Sequence, residues 1–463
     1  MVSNETACQS ADNSSPYGTE ETRYHVDGFR SLRGFEIGLN QGLNVLVGPN
    51  GSGKTNFIEF LDFLGTTLID SASTAVSQAG GVARVFSIEQ SKSKSSRINA
   101  TISGVADINP YAGEEETYHI FNFEYELEVK FSRTNSAVFI SKEIIRFKKL
   151  RHSHEQALCN SSVGTIAINR RAIELDQPPK IEISPRLQAN NIRNPLRINS
   201  RYFGSTEGKI VDPRLLGQDE SLLAARLMRP AIDAVRHAIT RGRSFNLIPS
   251  IVRTPDDLTR MPSISSDGSG LTSTLYHLQQ ATRPPRRTRS PVIRRRLLPE
   301  HLEAIIDWTK LVLPEMEAIA VSADPHTGKY LGYLIMDNQG LRIPLQSASD
   351  GTLKWLALVT LIVTRGGAYS IEEPENFLHP KMQQYLIELI RDYAADEGRP
   401  GYFIVSTHSE TIINRCSPEE LVLFEFSEGA TSCHRLRNGS AVLDQINQTG
   451  FGLGYYYANN ALS

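Results

Sequence analysis

The sequence predicts an α/β fold, and three observations support this prediction. Residues 43–47 have the pattern of a buried strand, and residues 56–68 carry apolar side chains at helical spacing. A glycine-rich turn separates these two segments, and further helices and strands alternate from residue 351 to residue 414. Such alternation indicates a parallel sheet covered by helices, because parallel strands need a crossover connection between them.

The turn after the first of these strands matches the spacing G-x-x-x-x-G-K-[S/T] of a phosphate-binding loop, or P-loop. It consists of Gly48, Pro49, Asn50, Gly51, Ser52, Gly53, Lys54 and Thr55. A strand, a glycine turn and a helix start direct backbone N–H groups and the positive end of a helix toward a phosphate. In such a loop Lys54 can reach the β- and γ-phosphates, and the Thr55 hydroxyl can ligate Mg²⁺. A glycine-rich turn that matched by chance would not need the flanking strand and helix.

Before and after this unit the pattern favours further strands. One is predicted over residues 23–29 and a second ends near residue 39. Residues 121–131 alternate apolar and polar side chains, which indicates an antiparallel strand with one face in solvent. Two more strands, over 138–140 and 143–147, are expected to pair beside it in a meander.

The middle of the chain is predicted to be an insertion. Residues 222–239 have helical spacing, with Pro230 expected to kink or break the helix. Residues 283–296 hold seven arginines and no acidic residue, which predicts an exposed loop. That loop could contact nucleic acid or an acidic partner, but a solvated loop is favoured because no aromatic residue is available for base stacking.

From residue 301 a regular pattern returns. A helix is predicted over 301–313, and strands are predicted near 318–322, 330–336 and 341–345. The expected organisation has four parts: a disordered tail over 1–22, an N-terminal half of the nucleotide-binding domain over 23–150, a helical and loop insertion over 151–300, and a C-terminal half over 301–463.

Composition limits the class of protein. The chain has 463 residues, 40% of them hydrophobic, and a net charge of −2, which gives no overall indication of a polyanionic partner. Its four cysteines are scattered and form no CxxC pair, so neither a zinc site nor a disulfide framework is expected. The first 22 residues lack the apolar segment of a signal peptide, and the most apolar run, 355–363, is too short to span a bilayer. We therefore expect a cytoplasmic protein with no membrane partner.

Three later segments carry further candidate residues. Ser349 and Gly351 lie at a predicted helix start, where they can form a second anion site. Glu372 and Glu373 follow a predicted strand, where two carboxylates suit Mg²⁺ coordination and water activation. His408 follows another buried strand. The structural alternatives are a solvated surface residue for Glu373 and a hydrogen-bonded core histidine for His408.

Together these motifs resemble the ABC-type ATPase heads of the RecF, SMC and OLD group. They are similar in particular to the stand-alone bacterial ATPases that recur in anti-phage systems. The resemblance is carried by residues 27–33, 47–57, 267–271, 349–358, 371–380 and 406–409. It implies a P-loop NTPase with a mixed sheet, an antiparallel β subdomain and a helical insertion, and it implies ATP and Mg²⁺ as cofactors.

The resemblance also implies roles for the candidate residues on the nucleotide side of one subunit. The P-loop amides, Lys54 and the adjoining Asn56 would hold the phosphates, and Thr55 and Glu372 would support Mg²⁺. Glu373 matches the catalytic base, and His408 matches the switch histidine near the γ-phosphate.

Other parts of the family pattern are less complete. Ser349 and Gly351 match the signature motif that touches the γ-phosphate of a partner subunit, although residues 348, 350 and 352 depart from the common L-S-G-G-Q. Gln78 and Gln90 are the candidates for the Q-loop glutamine. Arg30 either reaches nucleotide or caps the second strand. His379 either belongs to a turn or crosses a dimer interface.

One P-loop and one signature in the chain lead us to expect a homodimer that encloses ATP. The function expected first is a nucleotide-driven switch in an anti-phage complex with a separate effector protein. The alternative is a DNA-repair clamp similar to RecF. A nuclease of the OLD kind is not expected, because only 55 residues follow His408.

Overall fold

The computed structural model describes residues 21–86, 95–107, 119–152, 166–172, 179–184, 216–224, 230–240, 242–281, 298–337, 340–365, 369–394, 401–436 and 439–459. Residues 1–20 of the tail expected over 1–22 lie outside these ranges. The basic loop expected over 283–296 and Gln90 also lie outside them. None of the described helices is long and apolar enough to cross a bilayer.

A six-stranded sheet carries the P-loop. In spatial order it consists of β16 (Ala430–Arg435), β15 (Leu421–Ser427), β3 (Gly42–Val47), β14 (Tyr402–Ser406), β13 (Tyr369–Glu372) and β9 (Ser244–Phe245). The strands from β15 to β9 run parallel, and β16 pairs antiparallel with β15 at one edge. The predicted α/β fold with a mixed sheet is confirmed. The sequence did not predict β9, β15 or β16.

A second, antiparallel sheet has seven strands. In spatial order it consists of β2 (Phe35–Leu39), β1 (Thr22–Asp27), β4 (Ser95–Asp107), β5 (His119–Ser132), β6 (Ala137–His152), β7 (Ile166–Arg171) and β8 (Lys180–Ser184). The prediction of separate strands over 138–140 and 143–147 is wrong, because both belong to β6. Ser141 is an extra residue where the register against β5 shifts, so a bulge bends this strand without ending it.

The interval from residue 151 to residue 300, expected as an insertion, contributes to both sheets. Strands β7 and β8 extend the antiparallel sheet, and β9 pairs with β13 at the edge of the P-loop sheet. Pro230 is the first residue of the described helix Pro230–Thr240, and residues 222–224 of the predicted helix form a turn. Proline suits the first helical turn because its missing N–H would have no partner there.

The strands predicted near 318–345 form a small sheet of their own. It contains β10 (Met316–Asp324), β11 (Lys329–Met336) and β12 (Arg342–Pro344), paired antiparallel. Only four residues connect β10 to β11, too few for the crossover that a parallel pair requires. These strands therefore do not join the parallel sheet that the helix–strand alternation predicted.

The described helices alternate with these strands. They are α1 (Lys54–Ile69), α2 (Ala72–Gln78), α3 (Val82–Val85), α4 (Pro230–Thr240), α5 (Pro249–Val252), α6 (Leu271–Ala281), α7 (Pro299–Lys310), α8 (Asp350–Arg365), α9 (Pro380–Ala394), α10 (Glu410–Ile413), α11 (Gly439–Thr449) and α12 (Leu453–Ala458).

The P-loop sheet separates two hydrophobic cores. Along β3, Leu46 faces the first core, and Val45 and Val47 face the second, as the two-residue period of a strand requires. Phe57 of α1 packs in the first core, between the two large sheets, and Trp355 of α8 packs in the second. Because both faces of β3 are buried, the loop that follows it starts from a rigid base.

Candidate functional site

The P-loop joins β3 to α1, and Lys54 is the first residue of that helix. Its ammonium donates hydrogen bonds to the carbonyl oxygens of Gly48, at 2.7 Å, and Pro49, at 3.2 Å. Only 6% of the residue is exposed. Burial lowers the pKa of Lys54 to about 8, while Glu373 and Glu375 act in the opposite direction. The cation is therefore held over the loop, next to two carboxylates.

Two glycines of the loop adopt left-handed backbone angles, with φ of +81° at Gly51 and +103° at Gly53. A Cβ added at Gly51 would meet nothing within 4 Å, whereas one at Gly53 would lie 2.0 Å from the Thr431 hydroxyl. Thr431 belongs to β16, which sequence reasoning missed. Gly53 is thus required both by its backbone angle and by the close approach of this edge strand.

A small network holds the outer side of the loop. The Asn56 amide donates to Ser31 Oγ at 2.6 Å, and the Ser31 and Thr431 hydroxyls share a hydrogen bond of 2.7 Å. Arg30 donates to Asn56 Oδ1 at 3.3 Å and pairs with Glu59. Burial lowers the pKa of Arg30 to about 10, with a smaller contribution from the nearby Arg84 cation. The side chains of Asn56 and Arg30 are therefore engaged in bracing the loop.

Acidic residues lie where β13 ends. Glu373 has a left-handed φ of +41°, which costs an ordinary residue roughly 1–2 kcal/mol. Its N–H donates to the Ser406 carbonyl at 2.9 Å, which ties the turn to β14. Glu375 accepts hydrogen bonds at 2.8 Å from the Thr407 hydroxyl and from the His408 N–H. Glu375, to which the sequence reasoning assigned no role, thereby connects the acidic turn to the segment that carries His408.

The charges at this edge act on each other. Burial raises the pKa of Glu372 to about 7, and the negative charges of Asp62 and Glu373 add to the effect. Burial lowers the pKa of His408, and Lys54 lowers it further, while Glu373 and Glu375 oppose this. Lys54, Glu373 and His408, predicted from segments far apart in sequence, are therefore brought together.

The donor set suits a magnesium ion bound with a phosphate. Two buried oxygens here have no hydrogen-bond partner, Ser52 Oγ and Glu375 Oε2. Thr55 is exposed at the loop. Within the described ranges, no three His, Cys, Asp or Glu side chains form a metal-binding group. Mg²⁺ in phosphate sites typically takes one or two carboxylates together with substrate phosphates and water, so Thr55 and Glu372 fit such an ion.

The signature residues lie at the start of α8. The exposed Ser349 accepts a hydrogen bond from the Thr352 N–H at 3.2 Å, which caps the helix. A Cβ added at Gly351 would lie 2.7 Å from the Phe377 carbonyl oxygen. Arg253 donates to the Ala348 carbonyl at 2.8 Å, so a residue with no recognisable motif braces this segment. The hydrogen bonds of Ser349 stay within its own helix and do not reach the P-loop of the same chain.

Of the two glutamines suggested for the Q-loop, the structure describes only Gln78. Gln78 is exposed on α2 and accepts from Thr66 at 3.4 Å, and Gln90 is outside the described residues. Asn246, in contrast, directly follows β9, whose pairing with β13 places it beside Glu372. Its exposed side chain is therefore a further candidate that only the strand order reveals.

The segment 267–271 forms the entry to α6. The Asp267 carboxylate accepts from the Ser269 N–H at 3.0 Å, and Gly270 has φ +99°. The buried Asp256 carboxylate accepts from the Gly270 N–H at 2.8 Å and from the Ser273 N–H at 3.0 Å. These bonds satisfy the free N–H groups of the helix start, so the described contacts of this motif are structural.

Comparison with known families gives two matches. Residues 174–414, just over half of the chain, match the family described as "AAA domain, putative AbiEii toxin, Type IV TA system". Residues 23–193 match a second family, described as "AAA domain".

Curated relatives match short segments. The DNA replication and repair protein RecF of Shewanella loihica is 46% identical over 44 residues, which cover 10% of this chain and 12% of that protein. RecF of Beutenbergia cavernae is 53% identical over 38 residues, covering 8% and 10%. RecF of Renibacterium salmoninarum is 38% identical over 73 residues, covering 16% and 17%. The chain thus spans less than a fifth of the length of each of these relatives.

Similar solved structures are heads of SMC proteins. An SMC head bound to the C-terminal winged-helix domain of ScpA is 11% identical, with a TM-score of 0.47, and covers 91% of this chain and 99% of that one. The Smc head of Pyrococcus furiosus, bound to the C-terminal domain of ScpA, is 12% identical, with a TM-score of 0.45 and coverage of 93% and 99%. The SMC head domain of Thermotoga maritima is 13% identical, with a TM-score of 0.37 and coverage of 90% and 99%.

Proposed function

The chain belongs to the family described as "AAA domain, putative AbiEii toxin, Type IV TA system", with the RecF- and SMC-like type of ABC ATPase fold, and from this premise we propose that it is an ATPase. In this proposal it binds ATP with Mg²⁺ and hydrolyses it to ADP and phosphate. Two copies enclose the nucleotide, and hydrolysis releases them.

One observation carries the proposal. The Lys54 ammonium lies in one electrostatic group with Glu373, Glu375 and His408, at the edge where the P-loop begins. A cation that can meet a phosphate and carboxylates that can orient water are the two requirements of phosphoryl transfer to water. A purely structural arrangement would not need both beside a complete P-loop.

The residues then have distinct roles. Lys54 and the P-loop amides bind the phosphates, with Thr55 and Glu372 as ligands of the ion. Mg²⁺, when bound, neutralises charge on the phosphate oxygens. Glu373 accepts a proton from the attacking water. His408, tied through its N–H to Glu375, contacts the far side of the γ-phosphate.

A second copy completes the site in this proposal. Ser349 is exposed and bonded only within its own helix, so its helix start is available to another molecule. Helix starts bind anions because their N–H groups are free. Donors that arrive from the second copy would complete the γ-phosphate contacts only when the dimer closes. ATP would then act as a link between subunits.

The first test replaces the proposed base. Glu373→Gln should bind ATP, lose turnover by at least about a hundredfold, and accumulate as a dimer, because removing a general base typically costs that much. Phosphate release and size-exclusion chromatography with light scattering measure the two effects. Glu428→Gln is the matched control, since Glu428 is also exposed and has a left-handed φ of +51°. Undiminished hydrolysis by Glu373→Gln would refute its role.

Lys54→Ala tests binding separately. It should lose nucleotide affinity in calorimetry, because the phosphate charge would no longer have its main cation. The dimer is tested by dilution: turnover per molecule should fall when the protein is diluted below the dissociation constant of the dimer. A rate that stays constant at extreme dilution would remove the second copy from the mechanism.

The biological role we propose is a switch in a toxin–antitoxin or anti-phage complex with a separate effector. The description of the matched family, a putative toxin of a type IV system, supports it. Expressing the chain with the product of a neighbouring gene tests it. Growth arrest that depends on that product, and that Glu373→Gln changes, is the expected result. Arrest that is identical with and without ATP turnover would contradict it.

A second candidate is a DNA clamp, favoured by the local similarity to RecF. In that case the purified chain should bind duplex DNA more tightly with ATP, with an affinity that falls steeply with salt. The residues 283–296, rich in arginine, are the first segment to test. Replacing those arginines with glutamine should reduce the salt dependence if they contact phosphates, and should change nothing if the loop is only solvated.

A further inference from the structure

Lys354, on α8, is buried beside the acidic turn. Only 2% of the residue is exposed. Its ammonium donates to the Glu373 carbonyl oxygen at 3.3 Å and lies 5.9 Å from the centre of the Phe377 ring. A buried ammonium is costly unless it has partners, so this one is not explained by solubility or by packing alone.

The first turn of α8 touches the acidic turn at a second point. The Phe377 carbonyl oxygen lies 2.7 Å from where a Gly351 Cβ would be. Glu373 and Phe377 both have left-handed angles, with φ of +41° and +70°, and Phe377 is 61% exposed. Two strained residues persist only when their surroundings hold them. Helix α8 therefore lies against both strained positions, with Lys354 bonded to Glu373 and Gly351 close to Phe377.

Charge links the same residues. Burial lowers the pKa of Lys354 to about 8, and the Glu375 and Glu373 carboxylates act in the opposite direction. The cation is thus stabilised by the same two carboxylates that act on Lys54. Any shift of α8 along its axis would change these electrostatic contacts as well as the hydrogen bond to the Glu373 carbonyl.

We propose that Lys354 is a positioning residue that couples the two nucleotide sites of the dimer. This inference rests on the proposed function. In each copy, Ser349 serves the nucleotide of the second copy, while Glu373 serves the copy's own nucleotide. Lys354 joins the helix of the first residue to the backbone of the second. Engagement of Ser349 by one nucleotide is therefore transmitted to the base that activates the water attacking the other nucleotide.

The physical consequence is cooperative turnover. If the helix start moves when it meets a phosphate, the Lys354 contact moves the Glu373 backbone, and the carboxylate reaches its working position. Small displacements matter, because a misplacement of about 1 Å in a catalytic group can cost about a hundredfold in rate. Each site would then reach full rate only when the other is occupied.

The test compares Lys354→Met and Lys354→Arg with the unaltered chain in steady-state hydrolysis over a range of ATP concentrations. Met keeps the length and apolar fit but removes the cation and the donor, whereas Arg keeps both. For Lys354→Met we expect the Hill coefficient to fall from about 2, the value for two fully coupled sites, to about 1, the value for two independent sites. We also expect kcat to fall between tenfold and about a hundredfold, with the affinity for ATP unchanged.

A matched control separates loss of coupling from the general effect of removing a lysine. Thermal unfolding of each variant shows whether it is folded. Lys381→Met removes an exposed lysine whose ammonium also lies over a ring, that of Tyr385 at 5.6 Å, and should change nothing. Lys354→Arg should retain cooperativity. Cooperative turnover in Lys354→Met, or an equal loss in the Met and Arg variants, would overturn the coupling role alone. An unaltered chain that hydrolyses no ATP would overturn the proposed function as well.

Discussion

Two glycines in the P-loop offer a test of how the hairpin formed by β15 and β16 restricts the loop. Gly51 and Gly53 both have left-handed angles, with φ of +81° and +103°. They differ in the space beyond the Cα atom. A methyl group at Gly51 would meet nothing within 4 Å, whereas at Gly53 it would lie 2.0 Å from the Thr431 hydroxyl and 2.6 Å from the Thr431 methyl.

The expected magnitudes follow from these distances. Gly51→Ala should cost only the backbone term, roughly 1–2 kcal/mol. Gly53→Ala should cost the same term plus about 1–3 kcal/mol for overpacking against a buried side chain. Thr431→Ala alone should cost about 1 kcal/mol, because it removes the hydrogen bond to Ser31. Combined with Gly53→Ala, it removes the two closest atoms, so the double variant should be more stable than the sum of the single changes predicts.

Urea unfolding followed by tryptophan fluorescence measures these effects, since Trp355 is buried in the second core. Midpoints are the quantity to compare, because a chain of this size need not unfold in two states. Binding of a fluorescent ATP analogue is the second readout. Gly53→Ala should weaken it more than Gly51→Ala does, because the loop must shift away from Thr431.

The reasoning would be refuted by equal midpoints for Gly51→Ala and Gly53→Ala. It would also fail if the double variant with Thr431→Ala cost the full sum of its parts, since the clash would then not lie between these two residues. Either result would mean that β16 does not restrict the P-loop.

Three further predictions concern buried groups away from the P-loop. Arg170→Met should destabilise the chain by about 3–5 kcal/mol, because it leaves the buried Glu143 carboxylate, 3.7 Å away, without its cation. Arg171→Met changes the exposed neighbouring residue and should leave the urea midpoint nearly unchanged. In a variant with Cys433 as its sole cysteine, native protein at pH 8 should react with a disulfide reagent at least about tenfold more slowly than unfolded protein. The reason is that burial raises the pKa of that thiol from 9.0 to about 12. Burial also raises the pKa of Tyr24 well above 10.0, so its contribution to stability should be complete below pH 10 and lost as the pH rises further. In Tyr24→Phe, the urea midpoint should therefore fall less over that pH range than in the unaltered chain.

Local patterns predicted the elements whose determinants are close together in sequence. The strand, glycine turn and helix around Lys54 lie within about thirty residues, and their spacing identifies them without knowledge of any distant contact. The alternation in β5 and the apolar spacing of α8 and α9 are of the same kind. The acidic turn at Glu373 was predicted because it directly follows a short apolar strand.

The same reasoning missed elements that depend on distant partners. Strand β9 has two residues, too few for a periodic pattern, and exists because it pairs with β13, which is more than a hundred residues later. Asn246 gains its place beside Glu372 from that pairing. Ser141 likewise became a bulge within one strand, where the sequence indicated two strands.

By itself, the sequence determined that this chain contains a P-loop, a helix start with Ser349, an acidic strand end and a histidine after a buried strand, because each is a short motif with its own chemistry. Only the tertiary structure decided which side chains surround them. Thr431 against Gly53, Arg253 under the signature segment and Lys354 under the acidic turn have no local pattern, since each contact joins residues that chain folding alone brings together.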